Sequence, residues 1–191
     1  MQGQGQSLTL ENIACVRGGR RLFAGLSLSL SGGGAALISG PNGVGKSSLL
    51  RLIAGLLTPA AGMIVKEGRI ALTSEATALN PAQPLARALG FWAKIDGGVV
   101  EPGLEAMGIS HLADVPVRIL STGQKKRAVI AGVIAGGAPI WLLDEPANGL
   151  DVASIALLEA AIAKHRASGG IVVVASHQPI SLKGAQAVIL S

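Results

Sequence analysis

The run GPNGVGKSS, Gly40 to Ser48, packs three glycines, a lysine and two serines into nine residues. It fits G-x-x-x-x-G-K-[ST], the spacing of a loop whose backbone N–H groups turn inward to cradle phosphates. Glycine is required where the backbone approaches a ligand or takes positive φ. Gly40, Pro41, Asn42, Gly43, Val44, Gly45, Lys46, Ser47 and Ser48 are therefore the candidate nucleotide-binding residues. Lys46 would neutralise β- and γ-phosphate charge, and the Ser47 hydroxyl would ligate Mg²⁺.

A second constellation is IWLLDE, Ile140 to Glu145. A buried strand would deliver two carboxylates at its carboxyl end, where ligands bind in parallel sheets. Asp144 would hold Mg²⁺, directly or through water. Glu145 would orient or deprotonate an attacking water. His177 follows a β-branched run at the same expected sheet edge, within reach of a γ-phosphate or that water. His111 and His165 have no such context and read as structural.

The third is LSTGQ, Leu120 to Gln124, followed by KKRAVIAGVIAG. Ser121 is a plausible N-cap, with Val129, Ile130, Val133 and Ile134 as an apolar stripe behind it. Either this is simply a capped helix start, or Ser121, Gly123 and the helix dipole form an anion site. In the second case the chain carries two phosphate-seeking helix starts, odd for a monomer with one nucleotide.

The elements that must hold these residues can be read from periodicity. Residues 7–30 alternate apolar and polar, the mark of half-buried strands, with turns at Gly18–Gly19 and Ser31–Gly34. Ala35–Ser39 is a short strand running into the Gly-rich loop, and a helix follows over Ser48–Leu57. Short strands are expected near Met63–Val65 and Arg69–Thr73. Residues 76–135 are rich in Ala, Leu and Gly and read as a mostly helical insert. Strands resume at Ile140–Leu143, a helix at Ala153–Arg166, then strands at Ile171–Ala175 and Ala187–Leu190. Fully apolar short runs suit a parallel sheet covered on both faces.

Composition narrows the function classes. At 191 residues the chain predicts one domain, long enough to need no disulfide or metal staple. Aromatics are only 2% with no Tyr, which argues against stacking bases on aromatic platforms. A lone cysteine, Cys15, excludes a disulfide framework and a multi-cysteine zinc site, and reads as a small buried apolar residue. The net charge of +5 and pI of about 9.9 fit a polyanion, a membrane surface, a nucleotide or simply a basic surface. The clusters Arg17–Arg20–Arg21 and Lys125–Lys126–Arg127 are short. No basic-then-apolar signal peptide opens the sequence. The longest apolar stretch, Ala128 to Leu143, is broken by Gly and Pro139 and falls short of the ~20 residues of a transmembrane helix. A protein soluble alone, reaching membranes only through a partner, is expected.

Taken together, these residues resemble the ATP-binding subunits of ABC transporters over nearly the whole chain. GPNGVGKS is similar to Walker A, LSTGQ to the signature LSGGQ and IWLLDEP to Walker B. NGLD at Asn148–Asp151 is similar to the D-loop, and His177 to the switch histidine. Within that family, LFAGLSLSL, ALNPAQPLARALGFWA, and SHQP followed by Ile180 most resemble the heme-exporter ATPases of bacterial cytochrome c maturation. The resemblance implies a P-loop NTPase α/β fold: a mostly parallel sheet, N-terminal antiparallel strands and an inserted helical subdomain. It implies a core at 1–75 and 136–191 and a helical subdomain at about 76–135.

It also implies ATP and Mg²⁺ as cofactors and a head-to-tail homodimer. Ser121, Thr122, Gly123 and Gln124 of one subunit would then complete the partner's site, with Asp151 in the D-loop. The implied partners are integral membrane transporter subunits, CcmB-like, with other heme-handling membrane proteins, at the cytoplasmic face of the bacterial inner membrane. No nucleic acid is implied. Three positions depart from the family pattern. Glu75 stands where most members have a Gln that senses Mg²⁺, Arg17 where many have an adenine-stacking aromatic, and Thr122 where the signature has a Gly. An Arg guanidinium can stack on a ring, and Glu75 can still ligate Mg²⁺. The alternatives are the ATPase of another ABC exporter, an ATP-dependent dimerisation switch with slow hydrolysis, and a soluble ABC protein acting on nucleic acid, which the charge alone suggests.

Overall fold

A computed structural model describes residues 5–73 and 79–191. Two antiparallel strands open the chain, β1 (Ser7–Arg17) and β2 (Arg20–Ser31), joined at Gly18–Gly19. Their alternation buries Leu8, Leu10, Leu28 and Leu30 on one face. After β3 (Ala35–Ser39) and α1 (Lys46–Ala54), β4 (Ala61–Glu67) returns to pair with β1, giving a sheet of order β2-β1-β4.

The second sheet is parallel throughout. It adds β5 (Ile70–Leu72), β6 (Ile140–Asp144), β7 (Ile171–Ala175) and β8 (Gln186–Ile189), in the order β5-β6-β7-β3-β8. Between β5 and β6 come α2 (Leu85–Asp96), α3 (Glu101–Ala106), two 3₁₀ turns and α4 (Thr122–Gly136); α5 (Val152–Ala167) connects β6 to β7.

The buried strands sort their side chains by parity, as period-2 geometry demands. Trp141, Leu143, Val172 and Val174 join the core under α2–α5. Ile140, Leu142, Ile171, Val173 and Ala175 join the core shared with α1 and the antiparallel sheet. Both faces of β6 and β7 are thus covered, which is why these runs are continuously apolar. Cys15 is buried in the second core, and burial pushes its thiol pKa up.

Two elements differ from the sequence expectation. Helix α1 ends at Ala54, because Gly55 takes the left-handed conformation and its N–H caps Arg51 O and Leu52 O. Helix α4 is not a one-sided stripe: Ala128, Ile130, Ala131, Val133 and Ala135 are all buried, since helices press on it from more than one side. Among the described residues no helix is long and apolar enough to cross a membrane.

One side chain sets a pH limit on this fold. On the last turn of α5, the His165 ring stacks on Trp141 at 3.8 Å and 11°, with Nε2 3.2 Å from Pro139 O. Burial lowers its pKa, against a smaller opposing pull from its backbone hydrogen bonds. Below the ordinary His value of about 6.5 the unfolded chain takes a proton that the folded chain resists. This contribution is therefore complete above about pH 6.5 and is lost as pH falls from there toward the depressed folded value. We expect the melting temperature to fall between pH 7.5 and 5.5, by less in His165→Phe. Equal slopes in thermal melts of the two proteins would exclude this titration.

Candidate functional site

Helix α1 starts with its positive end bare. Its N-cap, Gly45, offers no side-chain bond, and the first turn holds no acidic residue. The first N–H groups and the dipole are left for an external anion. Gly45 itself has φ 117°, and a Cβ there would lie 3.1 Å from the Phe23 ring and 3.3 Å from Leu22. Strand β2 therefore presses directly on the loop, and only glycine fits.

Lys46 is buried, and its ammonium is gripped by three oxygens. Nζ donates to Gly40 O at 2.9 Å and to Pro41 O at 3.4 Å, and stands 3.7 Å from Glu145 Oε1. Glu145 sits at φ 45°, rare for a residue with a side chain, just past the end of β6. Its N–H reaches across to Ala175 O at 2.8 Å, fixing the turn at the end of β7. The other oxygen, Oε2, accepts from His177 N at 3.2 Å and pairs with His177 Nδ1 at 2.8 Å. A carboxylate oxygen accepts, so this pairing takes the imidazole tautomer with the proton on Nδ1. The SHQ turn is shaped by buried Ser176, whose Oγ donates to Gln178 O and accepts from Gln178 N. Lys46, Glu145 and His177, far apart in sequence, thus form one linked chain.

A cavity of about 360 Å³ opens over this chain. Asn42, Gly43, Gly45, Lys46, Ser47 and Ser48 line it from the loop, Leu22 from β2, and Glu145, Asn148 and His177 from the far side. Gly40, Pro41 and Val44 form the loop behind this lining. Asp144 lies outside the lining: its N–H is held by Thr73 Oγ1 at 2.9 Å, while its buried Oδ1 has no hydrogen-bond partner among the described residues. A buried carboxylate oxygen left without a donor suits a hard cation. Mg²⁺ typically takes one or two protein ligands and the rest from phosphate and water. Glu75, the third expected ligand, lies outside the described residues.

The signature residues stand away from this cavity. Ser121 caps α4 in a reciprocal box: its Oγ accepts from Gln124 N at 3.2 Å, and Gln124 Oε1 accepts from Ser121 N at 2.8 Å. The capped-helix reading thus holds within the chain. The Ser121 O–H proton and the Gly123 N–H remain to be offered elsewhere. Thr122 opens the helix, and a Cβ on Gly123 would lie 3.5 Å from Gly149 O. Asp151 caps α5 through Ser154 N at 2.8 Å, and hydrogen bonds from Ser154 hold its carboxyl below the usual carboxylate range. Arg17 pairs with Arg20 at the exposed hairpin end and is not in the cavity lining.

Sequence reasoning missed Leu22 and Thr73. Neither carries a local signal: one is a strand residue among others, and the other a hydroxyl whose target lies on a strand far along the chain.

Chemically, the site offers a bare helix start and a lysine for a polyphosphate. It adds an orphaned carboxylate for a cation, and a second carboxylate steered by an imidazole. The chain matches the ABC transporter family over residues 23–148. It is 57% identical over 178 residues to the cytochrome c biogenesis ATP-binding export protein CcmA of Sphingopyxis alaskensis, covering 92% of each. It is 50% identical to the protein of the same name from Zymomonas mobilis, covering 92% of this chain and 80% of that one. In fold it is similar to an ABC transporter ATP-binding protein from Pyrococcus furiosus, with TM-score 0.84 at 22% identity, covering 96% of this chain and 97% of that one. It is also similar to cbiO1 of Clostridium perfringens, part of the transporter complex cbiONQ, with TM-score 0.73 at 26% identity, covering 90% and 78%.

Proposed function

This chain belongs to the ABC transporter family of ATP-binding subunits, and on that premise we propose that it drives heme export for bacterial cytochrome c maturation. Its sequence likeness to the CcmA proteins, 57% over 92% of both chains in one case, carries the export reading. We read residues 1–75 and 136–191 as the core and about 76–135 as the helical subdomain.

In this reading the triphosphate enters over the α1 N-terminus, and Lys46 transfers from Glu145 to the β- and γ-phosphate oxygens. Ser47 and Asp144 would hold Mg²⁺, with Glu75 as a further ligand, and the ion would supply charge neutralisation for the phosphates. Released from Lys46, Glu145 accepts a proton from the attacking water while His177 Nδ1–H holds its other oxygen in line. Arg17, at the hairpin end, offers a guanidinium to the adenine face.

Two chains pair head to tail. Ser121, Thr122, Gly123 and Gln124 of one close over the γ-phosphate held by the other, with Asp151 beside them. Support comes from geometry: among the described residues, no carboxylate meets the Ser121 O–H and Gly123 N–H at the start of α4. We expect Ser121→Arg to leave nucleotide binding by the monomer nearly unchanged while preventing ATP-dependent dimerisation and hydrolysis. Size-exclusion chromatography with ATP under non-hydrolysing conditions reads this out, and normal dimerisation would refute action in trans.

The membrane partner is a CcmB-like subunit at the cytoplasmic face of the inner membrane. Its landing site is the cluster Phe91, Trp92, Ile95 and Val99 on and after α2, which is 61, 44, 65 and 60% exposed. Such a contiguous apolar patch marks an interaction surface. Deleting the gene from its host is expected to abolish heme-staining c-type cytochromes on denaturing gels, with recovery on complementation. Unchanged c-type cytochromes reject heme export and leave the ATPase assignment standing.

A further inference from the structure

A second large cavity, about 410 Å³, lies at the end of the parallel sheet away from the phosphate loop. It opens at the amino ends of β6 and β7, between α3 and the last turns of α4 and α5. Ala106, Ile134, Pro139 and Trp141 give it an apolar wall, and Lys164 and His165 contribute nitrogen groups from α5. The volume falls in the range of small-molecule sites, about 300–1,000 Å³.

Three features distinguish it from a packing gap. Trp141 is only 4% exposed, yet its Nε1–H has no hydrogen-bond partner among the described residues. Buried indole N–H groups usually find one. The only other such atom among the described side chains is Asp144 Oδ1, at the opposite end of the same strand. Secondly, Trp141 is not free to turn, because His165 stacks flat on it and lies directly over Gly170. Thirdly, Lys164 lines the cavity as an exposed side chain and makes no ion pair among the described residues, so its ammonium is available to a bound anion.

We propose that this cavity binds a small aromatic carboxylate, its ring against the apolar wall, its charge toward Lys164 and an oxygen accepting from Trp141 Nε1–H. The indole N–H is closed off from solvent, so reaching it takes a small displacement of the wall. The site is distinct from the nucleotide cavity and independent of the export reading.

The probe is 2-naphthoate, added to the full-length chain labelled with ¹⁵N-tryptophan. The Trp92→Phe background leaves Trp141 as the sole indole signal. We expect its N–H resonance to move downfield and saturate, as an unpaired N–H acquires an acceptor. Ala106→Phe fills the cavity from α3 without adding an indole and is expected to abolish the saturable shift, and Ala161→Leu does the same from α5 should the first variant fail to fold. Lys164→Glu is expected to weaken binding several-fold, and neutral 2-naphthamide to bind more weakly than the acid. ATP binding is measured in each variant as a check on folding that does not involve this cavity. No saturable shift up to the solubility of 2-naphthoate overturns the proposal. So does an unchanged shift in a folded cavity-filling variant, or equal affinity for the amide.

Discussion

Glu145→Gln is expected to keep ATP binding and lose hydrolysis by about 10²-fold or more, the scale of a missing general base. The change is nearly isosteric, so the turn after β6 and the bond from Glu145 N to Ala175 O should survive. What goes is basicity. An amide oxygen still accepts from His177, but no group remains at that position to take a proton from water. Loss of negative charge also removes the partner that Lys46 has in the nucleotide-free chain, at 3.7 Å. Lys46 should then pass to phosphate with less competition, and an ATP-bound dimer should accumulate. Single-turnover phosphate release and size-exclusion profiles with ATP test both halves. Turnover within a few-fold of the parent would place the base on another residue.

Lys46→Ala is the second large effect, and it acts before chemistry. Hydrogen bonds to charged groups are worth roughly 1.5–3 kcal/mol each. Losing contacts to two phosphates should weaken ATP by at least about 10²-fold. The same substitution frees Gly40 O and Pro41 O, which Lys46 now satisfies at 2.9 and 3.4 Å, so the loop itself should loosen. Calorimetric titration with ATP under non-hydrolysing conditions measures the loss. An affinity equal to the parent's is incompatible with a phosphate-binding Lys46.

Much of this architecture could be read locally. The alternation in β1 and β2, the apolar runs of β6 and β7, and the Ser121 cap each express a rule that operates over a few residues. The Gly-rich loop and the Asp144–Glu145 pair were visible because phosphate chemistry constrains residue types at fixed spacing. What escaped depends on contacts between distant segments. The end of α1 was overrun because Leu56 and Leu57 continue the apolar spacing past Gly55, which takes the left-handed cap. Helix α4 looked one-sided because Ala and Gly positions carry little hydrophobic weight in a pattern, yet they are where other helices press closest. The Lys46–Glu145–His177 chain joins a loop to two strand ends and exists only once β3 and β6 flank β7. Thr73 could not be linked to Asp144 without knowing that β5 lies beside β6.

The order β5-β6-β7-β3-β8 has a consequence for how the protein comes into being. Strand β3, from which the phosphate loop hangs, pairs only with β7 and β8: Ala35 with Val172, and Ala36 with Gln186. Both neighbours are translated long after it. A nascent chain therefore presents β3 with two open edges and the loop without its scaffold while the helices between β5 and β6 are being made. Such non-local parallel pairing folds slowly and leaves strand edges exposed to aggregation. The scaffold of the phosphate loop is thus among the last parts of the molecule to be completed, although the loop itself is among the first to be made.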